Sequence, residues 1–394
     1  MRSTFLPFAL PEIDNEELLE IKDSLSTNWI TTGPKTKLFE QNFGDYVSSK
    51  FAIAVSSCTA GLHLALVAAN IGEGDEVITT PYTFASTASV ILHVGARPVF
   101  VDIEKDGFHI DVKMIEKSIT PRTRAIIPVH FAGEPCRMEE IKTIAKKHNL
   151  LVIEDAAHAV GAEYKGEKIG SIGDITVFSF YAIKNMTTGE GGMVTTNNES
   201  IADKISLLAL HGISKDAWKR YTSEGSWYYE ILFPGFKYNM TDIQAAIGIH
   251  QLRKLNHFIK LREKYAELYN KHFRNIPEIL IPRFSNDIRH AWHLYVIRLC
   301  GSMINERNSL IKAINAAGIG TSVHFIPLHL HPYYKSKFGY KIGDFPNAEN
   351  TYKKAISLPL YPKMKVADIE RVVFSVKQAI AQLKGSTYVD KAII

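Results

Sequence analysis

The chain has 394 residues, 46% hydrophobic and 22% charged, with a net charge of +5 and three cysteines. That length exceeds one ordinary core and predicts two domains, and the mild, unclustered positive charge argues against a nucleic-acid partner while suiting a small anionic ligand. Cys58, Cys136 and Cys300 lack metal-site spacing and read as reduced thiols. The early prolines and acids of MRSTFLPFALPEID exclude a signal peptide, and no apolar run reaches the ~20 residues a bilayer requires. A cytoplasmic protein without a membrane partner is expected.

The first element is the helical DNEELLEIKDSL, where Asp14 precedes Glu17 in a capping-box pattern. From residue 50 short β-rich runs alternate with amphipathic segments such as TAGLHLALVAAN and MEEIKTIAKKHN. The candidate strands are FAIAV, EVITT, PVFVD, AIIPV, LLVIE, DITVFSF and GMVTT. Such alternation predicts a mostly parallel seven-stranded sheet between helices, and the short polar loop before GMVTT sets the last strand apart from the βαβ units. A second capping box, Thr241 with Gln244, opens a helical pattern sustained for about 30 residues, read as a connector between domains. The segments AWHLYVIRL, ERNSLIKAINAAG and ADIERVVFSVKQAIAQLK then form a smaller α+β domain. The expected division is 1–250 for the large domain and 251–394 for the small one, connector included. Neither GxGxxG nor GxxxxGK[ST] occurs, which argues against dinucleotide and P-loop chemistry.

Ligands of open α/β sheets bind beyond the carboxyl ends of the strands. In VSSCTAGLHLAL, small residues from Ser56 to Gly61 join a strand to a helix, leaving backbone N–H groups for a phosphate or, more simply, an N-cap at Ser57 or Thr59. Asp155 ends the apolar LLVIE run, where a carboxylate needs a cation or several hydrogen bonds; the alternative is a cap for a helix over AAHAVGA. Phe84 stands at a third strand end and on its own reads as core. Lys184 ends FSFYAIK, before the glycine turn TGEGG. A lysine among apolar neighbours loses affinity for its proton and becomes an amine nucleophile toward carbonyls. A phosphate cradle, a buried acid and such an amine together fit pyridoxal phosphate (PLP), held covalently by Lys184 and kept protonated at its ring nitrogen by Asp155.

The sequence resembles the DegT/DnrJ/EryC1/StrS family of PLP-dependent nucleotide-sugar aminotransferases over nearly its whole length. The resemblance is carried by WITTGPKTKLFE, VSSCTAGLHLAL, GDEVITTPYTF, IIPVHFAG, VIEDAAHAVGA, FSFYAIKN, TGEGGMV, HGISKDAW, PGFKYNMTDIQAAIG and ISLPLYP. It is most similar in look to the UDP-4-amino-4-deoxy-L-arabinose aminotransferase type. The resemblance implies the fold type I architecture and a homodimer with shared active sites. It matches Lys184 to the cofactor-bearing lysine and Asp155 to the partner of the ring nitrogen. His158 falls near the ring hydroxyl, Thr59, Ala60 and Ser179 at phosphate-binding positions, and Phe84 where an aromatic ring stacks on the cofactor. Asn239 matches an asparagine that reaches the neighbouring subunit's cofactor phosphate; read without the resemblance, it supports the Thr241 cap.

For substrate, SKDAWKRYTSEGSWYYE brings Lys219 and Arg220, suited to a diphosphate, together with Trp218, Trp227 and Tyr229, suited to a sugar or base. His324, His329 and His331 lack the spacing of a metal site, so no metal is expected, and His324 or His329 is placed near the sugar. The expected reaction moves an amino group from L-glutamate to a 4-keto nucleotide sugar. Two alternatives are a PLP-dependent sugar dehydratase, which in this family carries histidine in place of the lysine, and a non-enzymatic PLP-binding regulator.

Overall fold

The computed structural model of the chain describes residues 5–214 and 228–385. The seven runs read as strands form one sheet, in the order Phe51–Val55, Gly192–Thr196, Ile175–Ser179, Leu151–Asp155, Thr123–Ile126, Glu76–Thr79, Arg97–Phe100. All pairings are parallel except the two made by Gly192–Thr196. The segment between it and its predecessor, residues 180–191, makes turns and no crossover helix, and the strand runs back antiparallel alongside that predecessor. Apolar clusters cover both faces of the sheet. The strands Glu76–Thr79, Ile175–Ser179 and Gly192–Thr196 are accordingly buried throughout, whereas the edge strand Arg97–Phe100 alternates.

The helix Cys58–Ala68 lies directly on the sheet because Gly61 has no side chain: a Cβ there would meet Val177 Cγ1 at 2.5 Å. Gly192 permits the matching approach from below, since its Cβ would strike Ser57 C at 2.7 Å and Cys58 N at 2.8 Å. These two glycines bring a helix N-terminus down onto the carboxyl edge of the sheet. Both capping boxes form, at Asp14/Glu17 and Thr241/Gln244. By contrast, AAHAVGA makes turns and no helix: Gly161 takes φ +82°, and Asp155 caps only a local turn by accepting from Ala157 N–H at 3.2 Å.

The helix Asp242–Phe273 runs for 32 residues. Ala245, Ile249, Leu252, Leu255 and Ile259 belong to the core beside the large sheet. Tyr265, Ala266, Tyr269 and Phe273 belong to a second core, packed with the small sheet of Ile279–Leu280, Tyr295–Leu299 and Ala355–Leu358. At the changeover sits Arg262, fully buried, whose Nη1 donates to the carbonyls of Trp292 (3.1 Å), His293 (3.3 Å) and Leu360 (2.7 Å). Burial lowers its pKa to about 9. The guanidinium thus joins the connector helix to two separate segments. Arg262→Ala leaves three carbonyls and a cavity behind, and is expected to destabilise the protein by about 2–4 kcal/mol. Urea unfolding checks this; a loss below about 1 kcal/mol would mean that these bonds contribute little beyond solvation. Among the described residues no helix is long and apolar enough to cross a membrane.

Candidate active site

The carboxyl edge of the sheet opens into a cavity of about 350 Å3. Its wall includes Ser57, Cys58 and Thr59 from the helix start, Phe84, Asp155, His158, Ser179 and Lys184, together with His293, His324 and Phe325. A larger cleft, of about 530 Å3, lies away from this edge between Lys142, Lys146 and Tyr164, and gathers no comparable chemistry.

Ser57 is the N-cap of the helix Cys58–Ala68, its Oγ accepting from Ala60 N–H at 3.0 Å. The capping alternative therefore holds at Ser57, and Ala60, buried and absent from the cavity wall, spends its N–H on that cap. The N–H groups of Cys58 and Thr59 remain, at the positive end of an 11-residue helix. Ser179 ends its strand at the same rim.

Asp155 is buried, with Oδ2 accepting from Thr87 Oγ1 at 2.7 Å and Oδ1 from Ala157 N–H at 3.2 Å. Burial raises its pKa and these two bonds only partly oppose the effect. A carboxylate held by neutral donors has acceptor capacity to spare, and among the described residues no ion pair to it forms, Lys184 acting on it only through its field. Lys184 lies beyond the end of Ile175–Ser179, in a turn where its N–H donates to Tyr181 O at 2.9 Å. Burial pushes its pKa down to about 8, against smaller opposing effects of Cys58 and Asp155. A minority of the amine is therefore neutral near physiological pH, where an ordinary lysine has almost none.

Phe84 is no core residue: its ring is 60% exposed, at the cavity mouth, 5.9 Å from that of Phe325. His158 is buried, with Nδ1 accepting from Ala132 N–H at 3.2 Å. His324 also lines the cavity; its Nδ1 meets Ser357 Oγ at 2.8 Å, and burial lowers its pKa to about 4. His329 does not line it. The short helical turn Leu328–Leu330 points His329 into the core, where Nε2 bonds Glu349 Oε1 at 3.0 Å and the ring packs on Phe345, so the expectation of a sugar contact there is corrected.

Asn239 lies outside its own chain's cavity wall. It does not support the Thr241 cap, which Gln244 completes; its Nδ2 donates to Thr32 Oγ1 at 2.6 Å. Thr32 Oγ1 in turn donates to Met240 O, and Asp242 accepts from Gly33 N–H at 2.7 Å and Thr36 N–H at 2.9 Å, tying TTGPKT to this segment. Tyr229 is exposed and does not border the cavity. Trp218, Lys219, Arg220 and Trp227 lie outside the described residues.

Sequence reading missed Thr87, His293 and Phe325. Thr87 sat unremarked in TFAST, where a hydroxyl near a buried acid is a usable signal. His293 and Phe325 come from far along the chain, and only their polar or aromatic character in AWHLYV and SVHFIP marks them.

A model of the DegT/DnrJ/EryC1/StrS aminotransferase family matches residues 11–377. An uncharacterized protein of Methanocaldococcus jannaschii is 60% identical over 384 residues, spanning 97% of this chain and 99% of its own. The Bacillus subtilis spore coat polysaccharide biosynthesis protein SpsC is 52% identical over 381 residues, spanning 96% and 98%. A Streptococcus pneumoniae protein assigned as a sugar aminotransferase, solved in its PLP form, superposes with a TM-score of 0.90 at 34% identity, over 96% of this chain and 99% of its own.

Proposed function

The chain belongs to the DegT/DnrJ/EryC1/StrS aminotransferase family, and from that premise we propose that it transfers an amino group from L-glutamate to a UDP-linked 4-keto sugar used in cell-surface polysaccharide or glycan. The family is PLP-dependent and its fold is the type I aminotransferase fold. One observation carries the reading: an amine with its pKa lowered to about 8 shares a cavity with an under-compensated buried carboxylate and a free helix N-terminus.

Those groups fit PLP, which when bound supplies a reactive aldehyde and an electron sink. Cys58 and Thr59 N–H, with the hydroxyls of Thr59 and Ser179, would hold its phosphate. Asp155 would accept from the ring N–H and keep that nitrogen charged, while Thr87 orients the carboxylate. Phe84 would cover one ring face, and His158 would donate from Nε2 to the ring hydroxyl. Lys184 would bind the aldehyde carbon and, once displaced by the incoming amine, move a proton at the reacting carbon. The intact lysine disfavours the dehydratase reading. A yellow protein bleached by glutamate would disfavour the non-enzymatic one, and an absorbance unmoved by glutamate would sink the aminotransferase reading. Product masses with UDP-, dTDP- and GDP-linked keto sugars then test the carrier.

The working unit in this proposal is a homodimer in which Asn239 reaches the neighbour's cofactor phosphate and the 214–230 segment meets the neighbour's substrate. Two observations support it. Leu18 and Leu25, seven residues apart on one face of the first helix, are both exposed, as are Leu19 and Ile30, apolar side chains a second copy would cover. Lys184 is the one Lys or Arg lining the cavity among the described residues, so the cations that substrate phosphates and carboxylates require come from elsewhere, Lys219 and Arg220 being proposed. Mixing Lys184→Ala subunits with Asn239→Trp subunits tests the sharing. A heterodimer then carries both lesions in one site and neither in the other, so activity is expected to reappear on subunit exchange. Exchange without recovery, or a fully active monomer, would overturn the shared site.

A further inference from the structure

Two histidines of the cavity wall are locked in opposite polarity. Asn185, beside Lys184, donates from Nδ2 to the carbonyl of Ala291 at 2.7 Å. A carbonyl only accepts, so the orientation of the amide is settled and Oδ1 faces His293 Nδ1, at 3.2 Å. That contact is a hydrogen bond only if His293 carries its proton on Nδ1, which leaves Nε2 as a bare lone pair. His158 is fixed the other way: Nδ1 accepts from Ala132 N–H, so its proton sits on Nε2. The two ring centroids are 4.4 Å apart and both rings line the cavity.

Burial first, then the fields of His158 and Lys184, hold the His293 pKa well below its ordinary value, so the ring stays neutral. Its Nε2 has no hydrogen-bond partner among the described residues. Nor is it one of the fully buried orphans, which are His250 Nδ1, Arg262 Nε and His329 Nδ1. It is therefore open to the cavity that its ring lines. A lone pair repels carboxylate and phosphate oxygens. Beside it stand His158, His324 and Phe325, neutral rings suited to the apolar face of a pyranose or furanose.

We propose that His293 is a specificity residue for the sugar, its Nε2 accepting a hydrogen bond from a sugar hydroxyl, and that Asn185 is the positioning residue that holds it to that polarity. This rests on the sugar aminotransferase reading above. The tautomer is tested in the holoenzyme by 15N NMR of histidine-labelled protein, the His293 signals being assigned by their loss in His293→Phe. Wild type should show a protonated Nδ1 and a bare Nε2, and Asn185→Leu should lose that preference; a protonated Nε2 in wild type overturns the inference. For the sugar contact, His293→Phe should raise KM for the keto sugar about tenfold, with KM for glutamate rising no more than about twofold. One monodeoxy analogue of the sugar should lose about tenfold in kcat/KM with wild type, and a variant that still binds cofactor should no longer discriminate against it. Equal rises in both KM values, or a wild type indifferent to every deoxy analogue, overturn the contact alone. A wild type that converts no keto sugar overturns the aminotransferase reading and the contact together, while the NMR result still decides the tautomer.

Discussion

Lys184→Ala is expected to retain some non-covalent cofactor and to lose turnover by about 10⁴-fold or more, because one residue supplies both the covalent attachment and the proton transfer. Borohydride reduction of the wild-type holoenzyme should fix a pyridoxyl group on Lys184 alone, read by peptide mapping. A label on any other lysine would refute the assignment. The depressed pKa adds a second test. Burial lowers Lys184 from 10.5 to about 8, so the neutral, reactive amine grows with pH through a midpoint near 8 and saturates above about pH 9. Uptake of PLP by the apoprotein should therefore accelerate with pH, reach half its limit near pH 8 and level off above about pH 9. The sign for stability follows from the same displacement. Below about 8 the amine is charged in both folded and unfolded chains and the folded state bears the full burial penalty. That penalty is relieved as pH rises from about 8 toward 10.5, so the apoprotein gains stability across this window. An ordinary surface lysine would produce neither effect.

How far the sequence discloses this site depends on the range of the interaction involved. The seven strands are legible because each is a short apolar run between helical patterns, and burial on both faces removes any alternation that would confuse the period. The last strand is set apart by the polar, helix-free character of the segment before it, though its reversed direction is not legible from that segment's length. Asp155 and Lys184 stand out because a charged group at the end of such a run is an anomaly that needs a reason. Phe84 misleads for the opposite reason: an aromatic at a strand end suits a core, and nothing local says that its ring lies at a cavity mouth across from Phe325. The AAHAVGA segment misleads through alanine, which favours helix, whereas Gly161 at positive φ and the local turn at Asp155 win. His329 and His324 look alike in SVHFIPLHLHPYY, yet one is claimed by Glu349 in the core and the other by Ser357 at the cavity. Those partners lie on different elements far along the chain, and no spacing rule reaches them. His293 is hidden most deeply, since its polarity is decided by Asn185 from another domain-forming segment and its carbonyl is held by Arg262.

Asp155→Asn separates the electrostatic role from the structural one. The amide nearly preserves shape, and its oxygen can still accept from Thr87 Oγ1 or from Ala157 N–H, so the folding loss should be about 1 kcal/mol. What disappears is the negative charge. In the wild type that charge is already under strain, because burial raises the carboxyl pKa and the two neutral donors only partly oppose it. A cationic ring N–H brought against Asp155 relieves the strain, and the same contact keeps the ring nitrogen protonated, which gives the ring its capacity to accept electrons. An amide offers no charge to hold that proton, so kcat should fall on the order of 10²–10³-fold while cofactor content stays within a few-fold. The spectrum of the bound cofactor should shift with pH in the variant over a range where the wild type is constant, because the ring nitrogen now titrates. A variant within a few-fold of wild-type kcat, with a wild-type spectrum, would reduce Asp155 to the cap of a local turn, and the buried carboxylate would then need another cation.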